Sequence, residues 1–146
     1  MKKRAVALLA AGLLLAACGT VSLATASKSW VKQSQFYTNL PTLKKDVRNS
    51  AAQLRNANVT ANSLHTVCGV LLMDSEQFNS SLPTPDNQAT TLLSKAFNDF
   101  GAGANKCYGA QKSPRARVSA LHWFSRGMAA LSEGTARINV ATGAAP

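Results

Sequence analysis

His65 and Cys68 stand at i and i+3, a spacing that puts two side chains on one face of a helix. With Cys107 and His122 they supply the residue types of a Cys2His2 zinc site, but their spacing matches no standard zinc motif. The competing chemistry for Cys68 and Cys107 is a disulfide, which requires an exported chain. The carboxylates offer less. Asp74 and Glu76 stand at i and i+2 and point apart on a helix, and Asp99 and Glu133 have no evident carboxylate partner. The sequence contains no Glu-x-x-His pair of the di-metal bundles and no G-x-S-x-G, H-E-x-x-H or P-loop pattern. His65 and His122 are the only general-base candidates that titrate near neutrality unperturbed. The expectation is a chain with no catalytic residue, no metal and no cofactor, not an enzyme.

Those residues sit in a chain of 146 residues with 16 Lys plus Arg against 6 Asp plus Glu, a formal charge of +10, and 46% hydrophobic content. That is one domain at most, too apolar for a fully disordered chain and too short for a polytopic transporter. The first residues carry an address. Lys2-Lys3-Arg4 form a positive start, and Ala5 to Ala17 are uncharged and almost wholly apolar, the pattern of an export signal. This run falls short of the ~20 apolar residues that a membrane-spanning helix needs.

It ends in Leu15-Ala16-Ala17-Cys18, which resembles the lipobox of bacterial lipoproteins. The resemblance implies cleavage before Cys18, lipid on its thiol, and stable membrane attachment through more than one acyl chain, palmitate among them. The protein would then lie on the extracytoplasmic side of a cell membrane or envelope. Residues 18–27 are small and polar up to the first Lys and read as a flexible tether. With Cys18 spent on lipid, Cys68 and Cys107 remain, an even remainder that suggests one disulfide in an exported protein.

Helical spacing dominates residues 28–140. Helix A, about Lys28 to Ala57, has the stripe Trp30, Tyr37, Leu40, Leu43, Val47, Ala51 and Leu54, with Pro41 either kinking or splitting it. Helix B, about Thr60 to Asn79, has Leu64, Val67 with Cys68, Leu71, Ser75 and Phe78. A Pro-rich loop leads to Asp86 as N-cap of helix C, about Asn87 to Ala110, with Leu93, Ala96, Phe100, Gly103 with Ala104, and Cys107. Ser113-Pro114 is a helix start for helix D, about Pro114 to Asn139, with Val118, Leu121, Phe124, Met128, Leu131, Thr135 and Ile138. Residues 141–146 read as a frayed tail. Trp123 beside Phe124 reads as a boundary aromatic next to a core one. The expected fold is all-α, an up-down-up-down four-helix bundle with a disulfide between helices B and C.

The bases concentrate on helices A and D, which neighbour each other in such a ring, while the B–C half is nearly neutral. Lys44, Lys45, Arg48, Arg55, Arg115 and Arg126 are the candidate partner-binding face. Such a face attracts anionic lipid head groups, envelope polymers or an envelope protein. Export argues against nucleic acid as the partner. Trp30, Cys68, the Leu82-Pro83-Thr84-Pro85-Asp86 loop and Cys107 together resemble, in outline, small helical lipoproteins of actinobacterial type. Those proteins mostly lack an assigned activity, so the resemblance implies fold and location and carries over no catalytic residue. Three functions compete on these residues. A non-catalytic interaction module working through the basic face leads. The alternatives are a carrier of a small apolar ligand beside Ala96, Gly101, Gly103 and Ala104, and an envelope hydrolase.

Overall fold

A computed structural model of the protein describes residues 21–144. The export signal, the lipobox and Cys18 lie outside the described residues. The fold is all-α, with five helices among the described residues: α1 Leu23–Gln33, α2 Phe36–Arg55, α3 Ala61–Ser80, α4 Asn87–Tyr108 and α5 Pro114–Thr142.

The fifth helix arises because predicted helix A breaks, and not at Pro41. Gln35 takes up a left-handed conformation with φ 51°, and Ser34 Oγ donates back to the carbonyl of Trp30 at 2.8 Å. A backbone in that conformation cannot continue a right-handed helix. Pro41 lies inside α2. It removes the N–H that would bond the carbonyl of Tyr37, but Tyr37 and Pro41 are both exposed, so water can serve that carbonyl. α1 also begins inside the predicted tether, with the Ser22 hydroxyl accepting from the Thr25 amide. At the other end α5 reaches Thr142, and both Ala141 and Thr142 are buried, so the domain extends into the predicted tail.

The remaining helix starts follow their caps. Thr60, Asp86 and Ser113 each accept an amide of the first turn through the side chain, and Pro114 occupies the first turn of α5 where no N–H is needed. Asp86 does more than cap: Arg137 Nη2 lies 2.7 Å from its carboxylate and fastens α5 to the start of α4. That pairing holds the Asp86 carboxyl below its ordinary value, with burial opposing the shift.

Along α3 and α4, and along α4 and α5, the contacts run in opposite directions. Cys68 is disulfide-bonded to Cys107, linking α3 to α4 with Cα atoms 6.0 Å apart. Further along the same pair Leu72 stands beside Gly101, and Phe78 stacks obliquely on Phe97. The α4–α5 contact is the closest. A Cβ added at Gly127 would stand 2.6 Å from the Phe100 ring, and one at Gly134 would stand 2.7 Å from Leu93. Gly103 gives the same 2.6 Å to the Phe124 ring. The missing side chains are thus occupied by rings and branched chains from the facing helix.

This explains a shift of register in α5. The buried line is Ala120, Phe124, Gly127, Leu131, Gly134 and Ile138. Val118, placed in the expected stripe, is 69% exposed. The expected stripe followed the large apolar residues, whereas close packing selects the small ones. In α2 the same kind of shift exchanges neighbours: Phe36 is fully buried, and Tyr37 is exposed with its hydroxyl donating to the Asn139 side chain. Trp30 docks α1 by donating from Nε1 to the carbonyl of Ser81 at 2.8 Å.

Candidate functional site

The disulfide uses both cysteines of the hypothetical zinc set. His65 instead stacks on Tyr108 with ring centroids 4.6 Å apart, and His122 is exposed on α5. Among the described residues there is no group of three or more His, Cys, Asp or Glu able to hold a metal. The small residues of α4 that a carrier would need are in use as packing surface: Phe124 fills the space at Gly103, and Ala96 lies against Gly127.

The basic residues divide into three groups. The first ties the fold together. Arg117 donates from its guanidinium to the carbonyls of Ala110, Gln111, Leu54 and Asn56, clamping the ends of α2 and α4 against α5. The second is paired across α4 and α5. Arg126, expected on the binding face, has its Nε 3.5 Å from Asp99, a carboxylate that also accepts from Lys95 at 2.8 Å. Its guanidinium lies 4.6 Å from the ring centroid of Trp123, which is half-buried beside the fully covered Phe124. Arg126 therefore belongs to the α4 side of α5 rather than to the side facing α2.

The third group is Lys44, Arg48 and Arg55 on α2. At about 100° per residue these three fall within ~40° of one another around the helix. None makes a salt bridge among the described residues. Lys45, also expected on the face, turns ~100° away from Lys44 and is exposed. Arg115 is exposed at the first turn of α5. The only acid of α2, Asp46, points instead at Asp74 of α3. Burial, followed by a hydrogen bond to Asp46 and its charge, pushes the Asp74 carboxyl up to about 6. α2 thus turns its acid toward α3, while Arg48 and Arg55 border α5. Beside Asp74 a recess of about 180 Å³ is lined by Ser34, Asn39, Thr42 and Gln77.

Between α2 and α5 runs a groove of about 460 Å³, with the buried Val47, Ala51 and Phe124 as its floor and the partly exposed Leu121 and Met128 as its apolar wall. Arg48 and Arg55 stand on its α2 rim and Ser125 on its α5 rim. Arg48 also borders a second hollow with Tyr37, Leu40, Pro41 and Lys44, so the cationic rim continues along α2. No acidic residue lines either hollow. Sequence reasoning found the cations but not the groove. The signal for the rim was present in the spacing of Lys44, Arg48 and Arg55, which keeps one helical line. The groove depends on how far α2 and α5 stand apart, which no local pattern encodes.

Comparison of the chain with protein-family models, with curated proteins and with solved structures finds no match.

Proposed function

We propose that this is a lipid-anchored cell-envelope protein acting as a non-catalytic interaction module. Cys18 holds it to the membrane on the extracytoplasmic side, and the cationic rim of the α2–α5 groove engages the partner. On this reading α2 to α5 form an up-down-up-down bundle, with α1 added at its N-terminal end. One observation carries the proposal: Arg48 and Arg55 line one side of an apolar groove, Lys44 borders the adjoining hollow on α2, and none of the three is paired with a carboxylate among the described residues. Unpaired cations beside apolar surface are the ingredients of a binding face, since Arg forms bidentate pairs with incoming anions and the apolar wall adds area. The face is narrower than the sequence suggested, because Arg126 is spoken for by Asp99.

Two measurements test this. Metabolic labelling with an alkyne fatty acid should mark the wild-type chain and not Cys18→Ala; labelling that survives the substitution removes the anchor. In-cell crosslinking of the full-length chain should capture a discrete partner in a salt-sensitive manner. Lys44→Gln/Arg48→Gln/Arg55→Gln should lose that partner while keeping the wild-type melting temperature. Equal capture by both chains would reduce the basic face to a solubility device.

A further inference from the structure

Resting on the reading of α2–α5 as the binding face, we infer that its occupant is an amphipathic helix of a partner protein, apolar along one stripe and acidic along one flank. Three features select this chemistry. First, the groove opens to the surface and is not an enclosed cavity. A lone acyl chain gains its affinity from enclosure, burying most of its surface in a pocket, whereas a helix binds by laying one face into an open trough.

Second, the walls have helical spacing on both sides. Val47 and Ala51 stand at i and i+4 in the buried floor on α2, and Leu121, Phe124 and Met128 at i, i+3 and i+7 on α5, where Leu121 and Met128 are the partly exposed pair. Ridges and grooves of this period accept the i, i+3, i+4, i+7 anchors of a third helix. Met128 adds a side chain that adapts to an incoming surface.

Third, the charge is one-sided. The α2 rim of the groove carries Arg48 and Arg55, with Lys44 at the adjoining hollow, the α5 rim carries Ser125, and no acid among the described residues lines either hollow. From Arg48 to Arg55 the rim of the groove rises ~10 Å along the axis, about two turns, and Lys44 at the adjoining hollow extends the cationic line to ~16 Å. The matching occupant is a helix of at least that length, with carboxylates on one flank at about one per turn and none on the other. An anionic bilayer offers a plane of charge and has no reason to prefer one rim of a trough.

The test uses the full chain reconstituted in phosphatidylcholine bilayers and a labelled synthetic helix of 18 residues. The probe carries Leu at i, i+3, i+4 and i+7 positions and Glu along one flank, and its binding is read by fluorescence anisotropy. A scrambled peptide of the same composition and a Lys-for-Glu peptide are run beside it. The acid-flanked helix should bind and the scrambled one should not. Arg48→Glu/Arg55→Glu should weaken binding by about tenfold or more, because facing charges become like charges. The same variant should gain affinity for the Lys-flanked peptide, an exchange that a misfolded protein cannot produce. Lys106→Glu, exposed on α4 and outside both hollows, should leave binding within about twofold. Equal binding of the scrambled peptide, or equal loss with Lys106→Glu, overturns the proposal. So does tight association with phosphatidylglycerol bilayers without a peptide response, which makes the partner a lipid. In that case a crosslinked partner lost with the Lys44, Arg48 and Arg55 substitutions would still uphold the binding face, and only the partner's chemistry would fall.

Discussion

Replacing a helical glycine by alanine ordinarily stabilises a protein by about 1 kcal/mol, because Gly loses more backbone freedom on folding. Gly127→Ala should do the opposite. Its new Cβ would stand 2.6 Å from Cδ1 and Cε1 of Phe100 and 3.1 Å from the carbonyl oxygen of Ala96. Carbon atoms in good contact sit about 3.5–4.0 Å apart, so the overlap with the ring is about 1 Å. The ring cannot simply swing away, since it is fully buried, and the carbonyl belongs to the α4 backbone. Overpacking of this kind costs about 1–3 kcal/mol, and a backbone contact puts this site near the upper end. Subtracting the propensity gain leaves a loss of about 2 kcal/mol. For a domain of this size that lowers the melting temperature by about 8 °C.

Gly101→Ala is the internal control. Its Cβ meets only Leu72 Cδ1 at 3.8 Å, an ordinary contact, so the propensity gain of about 1 kcal/mol should survive. The assay is thermal unfolding of the full chain followed by circular dichroism, with the disulfide intact. A double-mutant cycle with Phe100→Leu should show favourable coupling of about 1 kcal/mol, because trimming the ring relieves the overlap. If Gly127→Ala raises the melting temperature alongside Gly101→Ala, the α4–α5 contact is not close. The packing argument for the register of α5 then fails with it.

Other outcomes follow from the ties between elements. The disulfide closes a sequence separation of 39 residues, so Cys68→Ala/Cys107→Ala should lose about 4 kcal/mol in the chain-entropy account, measured as a fall in the urea midpoint. Asp74 has a folded pKa raised to about 6 by burial and by Asp46, so its contribution to stability is present below the unfolded value and is lost as pH rises through about 4 to 6. Asp74→Asn should therefore raise the melting temperature at about pH 7 and change it little at about pH 4; equal effects at both would contradict the assignment. Asp86 runs the other way. Its folded pKa is depressed, chiefly by the Arg137 hydrogen bond, so its stabilisation holds above the unfolded value near 4 and fades as pH falls through the folded one, and Asp86→Asn should flatten that acid arm in a pH titration of stability. Arg117→Lys keeps the charge but cannot reproduce four guanidinium bonds to carbonyls, and chemical denaturation should report a loss of about 2 kcal/mol.

Much of the fold was legible because it rests on local rules. Thr60, Asp86 and Ser113-Pro114 mark helix starts through their own side chains, and the stripe from Leu64 to Phe78 is buried essentially as its period implies. The break at Gln35 was not legible, because neither a glycine nor a proline marks it. Pro41 drew attention for the right chemical reason, but it lies on an exposed side where α2 tolerates it. The buried line of α5 was misread because Gly127 and Gly134 count as gaps in a hydrophobic pattern and as contacts in a packed one. At the candidate site the cations were legible from composition and spacing. Their sorting was not, since Arg126 meets Asp99, and Arg137 meets Asp86, only after the helices pack.

The way α1 is attached also has a mechanical consequence. A chain held at residue 18 receives any pull from the membrane through α1 first. This helix lies outside the loop closed by Cys68 and Cys107, so the covalent link does not resist its removal. Force would meet α1 at Leu23, then the fully buried Ser27, and then Trp30, whose indole is bonded to Ser81 and lies against Phe36. Trp30 is thus a mechanical stop near the far end of a helix that can yield. If the chain is anchored at Cys18 as proposed, a tug there would lengthen the leash by the span of α1.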